Sequence, residues 1–269
     1  MIFTSIKKTL ITAVAFGFLA YYPIQANAWG MIGHRVVGEI ADSYLKAKTR
    51  KAIQGILGYE TLAMSANWGD FIKSDSTYNY MYNWHFVNLP GGLNKDGVFN
   101  ILETEKAPNL YNKITDLIAI LKKPSSTADQ KKLALRMLVH LEGDLCQPMH
   151  VAHKDDLGGN KVSLTWFNEK TNLHRVWDEQ LIGYQQLSYT EFAKVINHPS
   201  AVQLYNWQNT SLKDCIFESY KVCDKIYENT KPDSKLSYRY NFDWVDTLNQ
   251  QLLKGGVRLA KVLNDIYDK

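Results

Sequence analysis

Residues 132–150 read KLALRMLVHLEGDLCQPMH. Leu133, Ala134, Met137, Leu138, Leu141 and Leu145 recur three and four places apart, the period of a helix with one buried face, and Ser126 stands where it can cap the start. Pro148 lacks a backbone N–H and ends the ladder. The same period runs through the flanking sequence. Leu110, Ile114, Leu117, Ile118 and Leu121 stripe a helix that opens after Pro108 and closes before Pro124. Ser188 with Glu191 is a capping-box signature, and Ile216, Phe217, Tyr220, Cys223 and Tyr227 mark a further helix. Residues 242–267 form a long last helix, whose Gly255-Gly256 pair either softens it or admits a close neighbour. Only Val162, Leu164 and Trp166 alternate with period two, between Gly158-Gly159-Asn160 and Asn168, as one short strand or hairpin. The expected fold is mostly α. It is a single compact multi-helix domain with at most one short hairpin, irregular near 78–97 and 154–172, and without internal repeat or linker.

Composition agrees with this reading. The 269 residues are 45% hydrophobic, 12% aromatic and 22% charged, enough apolar material for a large core and no disordered excess. Residues 1–28 read as a secretory signal: Lys7 and Lys8, an apolar run over 10–20, and Ala26-Asn27-Ala28 as an A-x-A cleavage site. The run is shorter than the ~20 residues that span a bilayer, so cleavage after Ala28 is expected rather than anchoring, leaving a domain over 29–269 that is secreted or periplasmic. No later stretch is long and apolar enough to span. The net charge of +4 falls to about +2 without the leader's two lysines, too weak a field to drive duplex binding by counterion release. Three cysteines make no disulfide scaffold. Cys215 and Cys223 lie some ~12 Å apart along a continuous helix, beyond the roughly 7 Å a bridge allows.

The chemistry gathers around histidine. His140 has Asp144 and His174 has Asp178 four residues on, a spacing that puts both side chains of each pair on one helix face. With 27 acidic residues in 269, chance supplies about one such pair among seven histidines, so the spacing alone is weak, and either pair reads equally as a surface ion pair. The run from His140 through Asp144 to His150 says more, because three polar groups sit within an otherwise apolar helix. Buried polar groups are costly unless paired, by metal coordination or by an internal hydrogen-bonded cluster, and Pro148 can aim His150 back at the same cavity.

Six ordered pieces run from the mature N-terminus to Asp178. They are Trp29-Gly-Met-Ile-Gly-His34, Asn67-Trp-Gly-Asp70, Trp84-His85-Phe86, His140-x-x-Gly-Asp144-x-x-Gln-Pro-Met-His150, Gly158-Gly-Asn160 and Asn172-Leu-His174-x-x-Trp177-Asp178. Together they resemble the secreted zinc-dependent single-strand nucleases of the S1/P1 type, which are related in fold to bacterial zinc phospholipases C. The resemblance covers about the first 150 residues of the mature chain by motif.

That resemblance implies a cleft holding three zinc ions. Asp70, His85, His140 and Asp144 would hold the first; His150, His174 and Asp178 the second; the α-amino group and carbonyl of Trp29, with His34 and the other oxygen of Asp144, the third. It further implies hydrolysis of single-stranded RNA and DNA to 5′-phosphorylated products and removal of 3′-phosphates, by attack of a water shared by the first two ions. Asp70, Asp144 and Lys73 are the catalytic candidates, Lys73 standing in place of an arginine and offering a phosphate a point charge rather than a fork. Phe86 resembles a base-stacking platform, or is a core residue of a short strand; Asn88 stands where fungal members carry an aspartate that reads the base edge. The implied partners are single-stranded nucleic acid and nucleotides, with no stable duplex binding, and the protein is expected to be a monomer. Two other functions remain: a zinc phospholipase C acting on phosphodiester lipids, and an exported non-catalytic zinc-binding protein. Against the phospholipase, Asp178 stands where those relatives use glutamate.

Other conspicuous residues receive plainer readings. His153 is an exposed or hydrogen-bonded histidine, His198 a loop residue, Cys146 a buried free thiol, and Trp68, Trp84, Trp166 and Trp177 mainly core. Asn209-Thr-Ser211 is a glycosylation sequon.

Overall fold

The computed structural model describes residues 29–151 and 153–268; the leader expected at 1–28 and its cleavage site lie outside the described residues. Helices dominate. In chain order they begin with α1 (Met31–Ser43), α2 (Ala47–Leu57), α3 (Leu62–Ser65) and α4 (Trp68–Phe71), followed by a 3-10 run over Ser76–His85. Next come α5 (Lys95–Thr104), α6 (Leu110–Lys122) and α7 (Ala128–Cys146), with a 3-10 turn at Pro148–Val151. A hairpin of β1 (Ser163–Trp166) and β2 (Glu169–Asn172) leads into α8 (Leu173–Arg175), a π-helical turn at Val176–Gln180 and α9 (Leu181–Tyr184). The chain ends with α10 (Tyr189–Ile196), α11 (Ala201–Gln208), α12 (Leu212–Asn229), a two-residue β3 (Lys235–Leu236) and the 30-residue α13 (Tyr238–Tyr267).

Most of the expected starts and stops hold, and the exceptions have local causes. α7 is capped by Thr127 rather than Ser126: Thr127 accepts from the amide of Gln130, whose side chain accepts from the amide of Thr127. Ser126 lies one residue too early for that reciprocal pair, and its hydroxyl donates to the carbonyl of Ile120 at 2.7 Å. Ser188 and Glu191 form their capping box. The last helix starts at Tyr238, a turn earlier than its apolar stripe indicates. Within the segment expected to be irregular near 78–97, residues up to His85 wind as 3-10 helix and α5 begins at Lys95 behind an Asn94 cap. The hairpin pairs Ser163 with Asn172 through Trp166 with Glu169, and β3 joins it in parallel beside Thr165 and Trp166. Two residues carry no periodicity, so β3 has no sequence signal of its own.

α7 is the axis of the core. Every residue from Met137 to Cys146 is buried, because α1, α6, α12, α13 and the short α3 and α4 all pack on it. A helix covered on all sides is normally apolar all round, and His140, Glu142 and Asp144 break that rule. The largest helix–helix contact is between α1 and α13, and it explains the glycine pair. α13 runs unbroken through Gly255 and Gly256. A Cβ on Gly256 would stand 2.4 Å from Cγ2 of Ile40 and 3.1 Å from the carbonyl of Val37, so close approach, not softening, is its use. Cys146, Cys215 and Cys223 are buried free thiols. Among the described residues no helix is long and apolar enough to cross a membrane.

Gly256→Ala should therefore destabilise the fold by about 1–3 kcal/mol through overpacking against α1, measured by denaturant unfolding. Gly55→Ala, in the exposed interior of α2 with nothing within 4 Å of the added methyl, should instead stabilise by roughly 0.5–1 kcal/mol. Equal effects at the two positions would refute the packing account.

Candidate metal centre

The site is built around one carboxylate. Asp144 is fully buried on α7, and four imidazoles approach it from four segments. Its Oδ2 lies 3.1 Å from Nδ1 of His85 and 3.2 Å from Nε2 of His140. Its Oδ1 lies 3.4 Å from Nε2 of His34 and 3.6 Å from Nδ1 of His150. His140 comes from the preceding turn of α7, His34 from α1, His85 from the end of the 3-10 run, and His150 from the 3-10 turn that Pro148 starts. Asp70, on α4, reaches within 3.7 Å of His140 Nε2 and accepts from Lys73 Nζ at 2.6 Å. Beyond His150 stand His174 and Asp178, 3.0 Å apart, with the two histidine rings 5.0 Å between centroids. The i,i+4 spacing that joins His174 to Asp178 runs from α8 into the π-helical turn, a helix irregularity frequent at functional sites.

Backbone carbonyls aim the rings. Nδ1 of His140 donates to Ala66 O at 2.6 Å, Nδ1 of His150 to His85 O at 2.7 Å, and Nδ1 of His174 to Gly158 O at 2.7 Å. Each bond fixes the tautomer that leaves Nε2 with its lone pair toward the cluster, which is how ligating histidines are held. Two glycines make room: a Cβ at Gly69 would stand 2.6 Å from the His140 ring, and one at Gly143 2.8 Å from His34. His34 and His140 are thereby stacked at 4.0 Å. Trp29, wholly buried, donates its indole N–H to Gly143 O at 2.8 Å, and the amide of Gly30 donates to Asp178 O at 2.7 Å. Trp29 and Gly30 are thus tied to both halves of the cluster.

Three groups could each hold a metal ion, every ligand atom within 4.8 Å of the others in its group: His34 with Asp70 and His140; His85 with His140 and Asp144; His150 with His174 and Asp178. The third group contains the residues of the implied second set, and the second contains three of the implied first set, whose Asp70 groups with His34 and His140 instead. His34 clusters with Asp70 and His140 as well as with Asp144, a wider set of neighbours than the spacing suggests. The donor chemistry fits zinc, being carboxylate oxygen and imidazole nitrogen. Orphaned polar atoms point the same way. Both ring nitrogens of His34, Oδ1 of Asp144, Nε2 of His150, Nε2 of His174 and Oδ2 of Asp178 are buried without a hydrogen-bond partner. So many such atoms within one cluster would be expensive unless cations served most of them.

Electrostatics keep the acids ionised. Burial alone would raise Asp144, but the charges of His140 and His150 outweigh it and hold the group well below the usual carboxylate range. Burial likewise opposes ionisation of Asp70, and the charges of His140 and Lys73 prevail, bringing it down to about 2. Burial, then the charge of Lys73, drives His85 down to about 3, so its ring is neutral and its lone pair available. Burial pulls His150 down, yet Asp144 and Asp178 carry it up to about 9. Two buried carboxylates, Asp144 and Asp178, and the partly buried Asp70 make the cluster attractive to positive charge.

The cluster forms the floor of a cleft of about 480 Å³, where His85, His150 and His174 meet Lys73, Phe86, Asn88, Asn160 and Asn172. Phe86 is half-buried with its ring edge-on to Tyr82 at 5.9 Å, so it borders the cleft rather than filling the core. His153 stands apart, stacked on Tyr227 at 3.8 Å and 3.6 Å from Asp224, and His198 joins none of the clusters. Trp166 and Trp177 are core, while Trp68 and Trp84 are only half-buried. Gln147 had no assigned role from sequence. Fully buried, it donates to Oδ1 of Asp178 and accepts from the amide of Met149 at 2.6 Å, bracing Asp178 from behind. Its sequence signal is its place in the motif between Asp144 and His150.

Residues 29–268 match the family model described as S1/P1 Nuclease. Among individual proteins, the chain is 28% identical to Endonuclease 2 of Arabidopsis thaliana, over 93% of this chain and 94% of the relative. It is 28% identical to Nuclease P1 of Penicillium citrinum over 89% of this chain and 98% of the relative, and 29% identical to Nuclease S1 of Aspergillus oryzae over 70% and 68%.

An ion bound only by the folded chain stabilises it by mass action. Chelation should therefore lower the melting temperature by several degrees and added zinc should restore it. An unchanged melting temperature would leave the buried cluster without a metal.

Proposed function

Because the chain belongs to the S1/P1 nuclease family, we propose that it is an exported zinc-dependent phosphodiesterase that cuts single-stranded RNA and DNA to 5′-phosphorylated products and removes 3′-phosphates from nucleotides. One observation carries the reading: orphaned, inward-aimed imidazoles and carboxylates surround Asp144 on the floor of a cleft whose rim bears an aromatic ring and an ammonium.

Asp70, His85, His140 and Asp144 would hold one zinc ion, His150, His174 and Asp178 a second, and the α-amino group and carbonyl of Trp29, with His34 and Asp144, a third. Zinc bound there supplies Lewis-acid charge for the phosphoryl oxygens and brings the pKa of water toward neutrality. In the reaction the oxygen of water joins phosphorus, the P–O3′ bond breaks, and O3′ leaves with a proton. Asp144 offers an oxygen to each side, which a carboxylate can do and an imidazole cannot. Lys73, held at the rim by Asp70, presents a point charge to the phosphate. Phe86 offers a face to a base, and Asn88, with both donor and acceptor, reads its edge without demanding one base. A stacked duplex cannot present a base to that face, and the weak net charge gives duplex DNA little purchase. The leader directs export and is cleaved after Ala28, which leaves a domain over 29–269 acting as a monomer.

The test compares turnover of single-stranded and duplex DNA at equal salt by zinc-loaded enzyme. Single strands should be cut much faster, and equal rates would count against the reading. Asp144→Asn should lower activity by orders of magnitude and release more zinc than loss of any other one ligand, while His153→Ala should be nearly silent. If His153→Ala proves as damaging as His150→Ala, the second group of ligands is wrongly drawn.

Processing offers an independent check. Before cleavage the nitrogen of Trp29 is an amide, whose delocalised lone pair binds zinc poorly; afterwards it is an amine with a pKa near ~8. Protein beginning at Trp29 should hold about three zinc ions by elemental analysis, and a form with one added methionine fewer. Equal zinc content and activity in the two forms would remove the amine from the site.

A further inference from the structure

The cluster opens on two sides. Besides the cleft bordered by Phe86, Asp70 and Asp178 face a second one of about 620 Å³, next to Gly30 and Met31. Its wall is apolar and exposed to a degree that a chain rarely leaves in one patch: Phe71 is 78% exposed, Met31 66% and Met64 48%, with Trp68 half-buried among them. Phe71 follows Asp70 directly in α4, so its backbone position is set one residue from the centre. Trp68 is steadied by Tyr78, edge-on at 5.6 Å, and by the Arg136 guanidinium 5.6 Å from its centroid.

Charge narrows what this cleft can accept. Glu60 and Glu179 line it, paired with Arg136 and Arg175 respectively, and Asp70 and Asp178 stand at its inner end. Arg35, the cation that lines it, has its Nε 2.8 Å from the side-chain oxygen of Asn67 in the amide orientation that satisfies both groups. A phosphate would meet more acid than base there. A neutral, flat, weakly polar group would meet two aromatic side chains and two thioethers.

We propose that the second cleft receives the base of the nucleoside that retains the phosphate, with Phe71 as its stacking face. The inference rests on the functional reading above. Breaking P–O3′ in a strand leaves one nucleoside on each side of the phosphate, and the two must run from the centre in different directions. Phe86 takes the nucleoside that departs with O3′, which is the only one a 3′-nucleotide possesses. The partner nucleoside of a dinucleotide then enters the cleft that shares Asp70 and Asp178 with the centre. Phe71 is a specificity residue for polymer over mononucleotide, and it has no part in bond breaking.

The experiment compares two substrates of zinc-loaded enzyme: thymidylyl-(3′→5′)-thymidine, with a base on each side of its phosphate, and thymidine 3′-phosphate, with a base on one. Phe71→Ala should lower the ratio of kcat/KM for the dinucleotide to that for the mononucleotide by about five- to tenfold or more, mainly through KM. Phe71→Trp should keep the wild-type ratio, and Phe86→Ala should depress both substrates together. A ratio unchanged in Phe71→Ala, with wild-type enzyme active on both substrates, overturns the second base site while the functional reading stands. Wild-type enzyme that hydrolyses neither overturns the functional reading, and the base site with it.

Discussion

An ionised carboxylate enclosed by the central helix of an α-helical core is the constraint that organises this molecule. Asp144 has no access to water, and Gly143 and Leu145 on either side of it are apolar. A buried charge of this kind costs several kcal/mol or more unless opposite charge and hydrogen bonds compensate it. The compensation arrives as four imidazoles from α1, the 3-10 run, α7 itself and the turn after Pro148. Two further aspartates stand at the edges, and the buried donor atoms left without partners form groups that could hold metal ions.

The irregular segments have a physical purpose in this arrangement. Helices consume their own carbonyls, whereas the turn at Ala66, the end of the 3-10 run at His85 and the Gly158 loop leave carbonyls free to accept from His140, His150 and His174. The three rings are held with one nitrogen outward to backbone and the other inward. The hairpin contributes indirectly, since β2 ends at Asn172, whose side chain caps the short α8 and so sets where His174 begins. Gln147 does for Asp178 what the carbonyls do for the rings.

The surroundings of the centre offer local features rather than a long-range field. Net charge is small, and the cations close to the cluster, Lys73 and Arg35, are each engaged by a side chain of the protein. Aromatic rings stand on both sides instead, Phe86 and Tyr82 beside one cleft, Phe71 and Trp68 beside the other. Under the proposed function, such a site would favour bases that are free to stack, as single strands offer them.

Periodicity alone determined the helical class, the positions of α6, α7 and α12, and the hairpin, because burial of one face imposes a repeat that does not depend on what covers it. Of the candidate ligands, His140, Asp144, His174 and Asp178 stood out as i,i+4 pairs and His150 through the proline-broken helix, whereas Trp29, His34, Asp70 and His85 were legible only through the family resemblance. The sequence left open the exact cap of α7, the third strand and the meaning of Gly255-Gly256, because each depends on a partner distant in the chain or on a choice between adjacent polar residues. Only the tertiary structure decided that His34 lies against Asp70 and His140 as well as Asp144, that Gln147 braces Asp178, and that the centre opens on two clefts. Those facts are distances between α1, α4, α7 and the π-helical turn, and a sequence records which side chains a segment offers but not how far apart the packed helices finally hold them.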